Sequence, residues 1–308
     1  MDPNVAHVVS LRMFPGTTPV APAVEAGMNR RSFLVALLGV PALAALAACG
    51  DSKEMNPGTT PHDTGPGPIV PDDFVLRIVH EGGLVPADMI FNRLPTLLVT
   101  GDGRVFTQGA ITAQYPGPLV MPVMVATITS TGLAALVKAA DEAALLGAAA
   151  NYDVPDGIGI ADAPTTVVTI TINGATYEHR AYALGIDTPS TPTRERLQSF
   201  VASTADLAQL VGAVNLGLDE VYEPTTYRYR ATVTDPAQWS DPKPTVVGWP
   251  SNGPYLSDAS ACATLTAAQD AGLFERSRQN TLFEDRGVVY QLAVVAELPG
   301  DVGCGPIS

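Results

Sequence analysis

The sequence predicts an α+β fold: an antiparallel sheet built from hairpins, with about three helices packed against it. Two observations lead there. Asn173-Gly174 separates two alternating runs, Val167–Ile172 and Ala175–Ala181, and an Asn-Gly pair suits the two-residue type I′ turn of a hairpin. Similar turn signals, Asp102-Gly103 and Asp285-Arg286-Gly287, each split a β-rich run, while stretches of helical period lie between the hairpins. Hairpins require antiparallel neighbours, and helices with one apolar face must bury it on the sheet.

In chain order, "FVLRIVHEG" alternates, with Phe74, Leu76, Ile78 and His80 on one face and Val75, Arg77, Val79 and Glu81 on the other. "LPTLLVTGDGRVFTQG" forms the first hairpin and "PVMVATITS" a further strand. A helix follows in "STGLAALVKAADEAALLG", with Ser130 or Thr131 as its cap, Leu133, Leu136, Val137 and Ala140 on one face, and Gly147 as its stop. The Asn-Gly hairpin pairs Ile172 with Ala175, Ile170 with Tyr177 and Val168 with His179, which makes His179 a hydrogen-bonded core or rim histidine rather than a ligand. Thr191-Pro192 opens a longer helix carrying the stripe Leu197, Phe200, Val201, Ala208 and Val211. The strand "TTYRYRATVTD", a Pro- and Trp-containing loop from Pro236 to Pro254, a last helix from Ser257 to Gln279 and a closing hairpin complete the fold.

The front of the chain reads as an address. Arg30 and Arg31 precede an uncharged apolar run, Phe33–Ala48, which is shorter than the roughly 20 residues of a membrane span and contains Gly39 and Pro41. A basic start, a short apolar middle and small residues at the end describe a secretory signal over residues 28–48. "NRRSFL" resembles the twin-arginine export motif, although Val35 stands where a basic residue often follows. "LAAC", ending at Cys49, resembles the lipobox of bacterial lipoproteins, which implies lipidation of Cys49. An acyl chain anchors through about 0.8 kcal/mol per buried CH₂, so such anchors use more than one chain. Residues 1–27 read as disordered chain or a mis-called start before Met28. Residues 49–72, rich in Pro, Gly, Thr and charge, read as a lipidated flexible tether of roughly 25 Å root-mean-square span. Residues 73–308 then form a single globular domain.

The formal charge is −14. Cleavage before Cys49 removes Arg12, Arg30 and Arg31 but only Asp2 and Glu25, so the mature chain is more acidic still. Such a surface repels nucleic acid and anionic headgroups alike, which leaves the lipid as the link to the membrane. With Cys49 assigned to lipid, Cys262 and Cys304 remain as a pair suited to a disulfide in an oxidising compartment. That bridge ties the C-terminal tail to the start of the last helix.

Three segments, "LPTLLVTGDGRVF", "DAPTTVVTITINGATYEHRAYAL" and "LFEDRGVVYQLAVVAELPGD", resemble a family of exported lipoproteins of high-GC Gram-positive bacteria. The resemblance implies export and anchoring, and it implies no chemistry.

The chain has no Gly-x-Ser-x-Gly elbow, P-loop, His-Glu-x-x-His or complete Gly-x-Gly-x-x-Gly, and Ser251 in "GWPSNG" is one residue off the elbow spacing. Two weaker candidates stand out. Asp153, Asp156 and Asp162 lie in a glycine-broken loop, where oxygen ligands can gather around Ca²⁺, although the spacing is not that of an EF-hand. Trp239, Trp249 and Tyr255 offer aromatic faces for a sugar or peptide, or else pin their loop to the core. The reading that follows is a lipid-anchored protein on the outer face of the cytoplasmic membrane, without cofactor, acting by binding or envelope assembly on an envelope protein or glycan. The alternative is an exported cell-envelope hydrolase.

Overall fold

A computed structural model describes residues 72–154, 160–186 and 190–304. The leader with Arg30, Arg31 and Cys49 lies outside the described residues, as does Asp156. The described residues belong to one compact unit.

The strands are β1 (Val75–Gly82), β2 (Leu97–Thr100), β3 (Arg104–Gln108), β4 (Val123–Thr127), β5 (Pro164–Ile172), β6 (Ala175–Tyr182), β7 (Glu220–Val221), β8 (Thr226–Val233), β9 (Thr245–Gly248), β10 (Ala263–Thr266), β11 (Thr281–Asp285) and β12 (Val288–Ala296). The helices are α1 (Ala87–Phe91), α2 (Ser130–Glu142), α3 (Pro192–Thr204), α4 (Leu207–Val211), α5 (Ala267–Asp270) and α6 (Leu273–Arg276). The α+β class and the antiparallel-dominated pairing stand, but there are two sheets rather than one, and six helices among the described residues rather than about three. The first sheet runs β6-β5-β1-β2-β3-β4-β7 and the second β10-β8-β12-β11-β9, with β9 and β11 parallel.

Three apolar clusters hold the layers together. Leu133, Leu136 and Ala140 of α2, Leu197 and Phe200 of α3, and Leu207 and Val211 of α4 pack on Leu76, Ile78, Val99, Val168 and Ile170 of the first sheet. The opposite face of that sheet, with Leu98, Phe106 and Val123, meets Ala293 and Val295 of β12. The far face of the second sheet, with Tyr229, Phe283, Leu292 and Val294, packs under Phe274 of α6 and the 3-10 turn Leu256–Ala259. The sheets are therefore the two inner layers. Strand β2 is buried at every position and β12 from Leu292 to Ala296, which is why they read as continuous apolar runs rather than alternating ones.

Hairpin register follows the turns. Asn173 and Gly174 have φ of 53° and 72°, as a type I′ turn requires, and the pairs Ile172–Ala175, Ile170–Tyr177 and Val168–His179 form as expected. Arg286 and Gly287, at 53° and 78°, make the same turn between β11 and β12. Asp73 accepts from the amides of Asn173 and Gly174 and so fastens the start of β1 to the tip of the β5–β6 hairpin.

Several local expectations change. Thr129, not Ser130 or Thr131, caps α2 by accepting from the Gly132 amide, and the helix ends at Glu142, before Gly147. The longer helix breaks into α3 and α4: the hydroxyls of Ser203 and Thr204 donate back to the carbonyls of Phe200 and Val201, and Asp206 starts α4 afresh by capping Gln209. The helix expected over Ser257–Gln279 does not form. Ala263–Thr266 pairs with β8, Thr266 and Gln269 form a capping box, and Ala271 and Gly272 adopt φ of 49° and 72°, which stops α5 after one turn. Cys262 thus precedes a strand, not a helix. His80 is exposed at the end of its otherwise buried row.

Candidate functional site

The second sheet covers only part of the first. Its apolar contact reaches β2, β3, β4 and Val75. Over β1, β5 and β6 the same face opens into a groove of about 450 Å³, within the size range of small-molecule sites.

The floor is set by strand register. One cross-strand row is Arg77–Thr169–Glu178, and the next is Val79–Val167–Arg180. Residues two apart on a strand share a face, so these rows lie side by side under the groove. Glu81, two residues beyond Val79, adds a carboxylate to the same face, and Arg180 bridges it at 2.5 Å and Glu178 at 3.4 Å. These two carboxylates hold the Arg180 guanidinium above its usual arginine pKa, the hydrogen bond that Arg180 donates to Glu81 contributing most.

The walls come from elsewhere in the chain. They comprise Ile90, Phe91 and Arg93, from α1 and its flank, with Arg228 of β8 and the segment Gly300–Val302; Arg93 Nη2 donates to the carbonyl of Gly82 at 3.0 Å. Arg228 and Arg230 both place their guanidinium groups 5.6 Å from the centre of the Phe91 ring, and Arg230 pairs with Asp88. Arg77 Nη1 meets Asp301 at 3.2 Å, and the other Asp301 oxygen accepts from the Leu298 amide. Arg228 Nη1 donates to the Gly303 carbonyl at 3.1 Å, while its Nε is buried without a hydrogen-bond partner. Nearby Glu297 also buries Oε1 without a partner; burial raises its pKa, against the pull of Arg228. On the other face of β1, partial burial, helped by Arg93, lowers the pKa of His80. The disulfide between Cys262 and Cys304, with Cα atoms 5.5 Å apart, follows directly after this wall.

Charge in the groove sorts into pairs and remainders. Glu81 and Glu178 sit on Arg180, and Asp301 sits on Arg77. Among the described residues Arg93 and Arg228 have no carboxylate within ion-pair distance. The lining therefore offers two guanidinium groups free to take an anion, beside an apolar strip of Val79, Val167, Ile90 and Val302. A second depression, between α2 and α3, is larger at about 540 Å³ but more open, and it places Glu142 and Glu195 beside Arg196.

The residues singled out in the sequence do not meet here. Trp249 is half-buried in the aromatic cluster of Tyr229, Phe274 and Phe283, and its Nε1 donates to the Pro254 carbonyl. Trp239 is also half-buried, with Nε1 donating to Thr234. Only Tyr255 is exposed, with the Arg286 guanidinium 3.4 Å over its ring. Both indoles thus tie their loop to its surroundings through Nε1. Asp153 and Asp162 are both exposed, and no group of three His, Cys, Asp or Glu residues among the described residues could hold a metal ion.

The groove escapes sequence reading because its charges come from five separated segments. The signal in hindsight is the phase of the arginines: Arg77 on β1 and Arg180 on β6 both occupy the row that faces away from the buried side chains. Comparison with protein-family models, with curated proteins and with solved structures found no match.

Proposed function

We propose that this chain is a lipid-anchored, extracytoplasmic binding protein, with Cys49 carrying the lipid, residues 50–72 as the leash and the groove over β1, β5 and β6 as the ligand face. The observation that supports this reading most is the use of cysteine. The chain has three cysteines, and the fold joins Cys262 to Cys304. Such a bridge suits an oxidising compartment. Cys49 is then the cysteine left over, at the end of a signal-like apolar run.

The groove supports binding in preference to hydrolysis, because its three carboxylates, Glu81, Glu178 and Asp301, are held in ion pairs by Arg180 and Arg77 rather than poised as acid and base, beside aliphatic side chains and the guanidinium groups of Arg93 and Arg228. The leash keeps the domain within tens of ångströms of the lipid surface, so its ligand comes from the envelope.

Growth of an expressing Gram-positive host on labelled palmitate tests the anchor. The wild-type chain is expected to carry label and to sediment with membranes, and Cys49→Ala to lose the label and become soluble. Wild-type protein without label, or a Cys49→Ala chain that still carries it, would overturn the reading.

A further inference from the structure

The groove has two properties that together select a ligand class. It holds two arginines that make no ion pair among the described residues, within a lining whose carboxylates are all engaged by other arginines. Arg93 and Arg228 both line it, while Glu81 and Glu178 are engaged by Arg180, and Asp301 by Arg77. The buried, unpartnered Nε of Arg228 stands at one wall. This concentration of arginine is unusual for a chain with 31 acidic and 17 basic residues. The second property is apolar. Val79 and Val167 pave the floor beside the arginines, and the rim carries Ile90 and Val302, which are 44% and 72% exposed. Leu84 and Met89, next to Ile90 in the chain, are exposed as well. Aliphatic side chains left in solvent around a charged cleft are a cost unless something apolar covers them.

We infer that the groove binds an amphipathic anion, with a phosphate or carboxylate head between Arg93 and Arg228 and an aliphatic body along Val79, Val167, Ile90 and Val302. The inference rests on the reading of the groove as the ligand face. A guanidinium matches such a head through paired N–H donors, and Phe91 under Arg228 holds that group in place. The acidity of the remaining surface works in the same direction. It repels anions elsewhere and makes the cleft the place where one can settle.

Calorimetric titration of the full chain tests this, with dodecyl phosphate below its micelle concentration, inorganic phosphate, and vesicles of phosphatidylglycerol as probes. Dodecyl phosphate is expected to bind saturably and inorganic phosphate much more weakly. Arg93→Gln, which removes one bond to a backbone carbonyl and no ion pair, is expected to weaken dodecyl phosphate about tenfold or more, the worth of a charge-assisted bond. Ile90→Ser should weaken dodecyl phosphate and leave inorganic phosphate unchanged. Lys138→Gln, on the exposed face of α2, should change neither.

Absence of saturable binding, or an unchanged affinity in both Arg93→Gln and Arg228→Gln, would overturn the inference. Binding to vesicles without binding to monomeric dodecyl phosphate would overturn it too, and would make this face a membrane contact. None of these outcomes touches the lipid label on Cys49, so the ligand class and the anchor fail separately.

Discussion

The phenol of Tyr152 and the imidazole of His179 meet in the core, Oη to Nδ1, at 2.9 Å, and the far side of the ring bonds the carbonyl oxygen of Leu145, also at 2.9 Å. A carbonyl only accepts, so Nε2 carries the hydrogen and Nδ1 accepts from the tyrosine. This chain of bonds ties the edge strand β6 to the segment that follows α2. Tyr152→Phe leaves a buried imidazole nitrogen without its donor and is expected to cost about 1–3 kcal/mol. His179→Ala adds a cavity to that loss and should cost more. Urea midpoints at constant slope check both values, and long-range ¹⁵N couplings of the ring check the tautomer.

Arg194 is a second internal clamp. It is 1% exposed, yet its guanidinium donates to backbone carbonyls, of Tyr152 at 2.6 Å, Tyr182 at 3.0 Å and Ala183 at 3.1 Å. Burial lowers its pKa. Removing the side chain strands three carbonyls at once, so Arg194→Met should cost about 3 kcal/mol or more. Arg194→Lys, with one ammonium in place of a planar fork, should recover only part of it. Thermal unfolding of the two variants side by side distinguishes lost bonds from lost volume.

Stability should fall in alkali, and Tyr229 should lead the fall. It is fully buried in the second sheet, its hydroxyl has no hydrogen-bond partner, and burial pushes its pKa up to about 12. The unfolded chain releases the same proton near pH 10. The native state thus holds a proton that the unfolded state has lost, and the contribution present below pH 10 disappears as the pH rises towards 12. Tyr152, Tyr222 and Tyr227, raised by burial as well, act in the same direction. Tyr229→Phe removes an unpaired hydroxyl and should leave stability at pH 7 equal or higher, with a flatter decline from pH 10 to 12. An unchanged decline in the variant would contradict the assignment.

The disulfide secures a wall of the groove. Cys304 follows Gly300–Val302, and the bridge closes a separation of 42 residues. Reduction should cost up to about 4 kcal/mol of stability in the chain-entropy account. If the ligand contacts that wall, reduction at a temperature where the fold persists should also weaken binding, whereas a purely structural bridge would leave affinity alone. Titration before and after reduction reads both.

Gly132 reverses the usual preference for alanine in helices. Within α2 such a change normally gains about 1 kcal/mol. Here a Cβ would lie 2.7 Å from Cγ1 of Ile128 and 3.0 Å from Cβ of Asn215. Asn215 cannot withdraw freely, because its amide bonds the Val211 carbonyl and its Oδ1 accepts from Thr129. Gly132→Ala should therefore destabilise by about 1–3 kcal/mol, the cost of overpacking. A chemical denaturation curve shifted to higher midpoint would refute it.

Much of the local structure was legible because it depends on neighbours in the chain. The Asn173-Gly174 turn could take only a few backbone shapes, and from it the pairing of Val168 with His179 followed, as did that histidine's place on the core-facing side, whereas its full burial rather than a rim position came from the packing around it. Thr191-Pro192 began α3 as expected. The errors cluster where distant chain overrode local preference. Ala263–Thr266 carries a helix-like context but pairs with β8, and the continuous apolar runs of β2 and β12 concealed a second sheet.

The amino-acid order by itself determined the hairpins, the acidic balance, the pairing available to three cysteines and the signal-like front, since each depends on short-range geometry or on counting. The tertiary structure alone decided that two sheets stack and that one leaves β1, β5 and β6 uncovered. It also decided that Arg77, Arg93, Arg180 and Arg228 converge there. Charges more than a hundred residues apart in the chain share a cleft only after packing brings their strands together, and no local pattern encodes that distance.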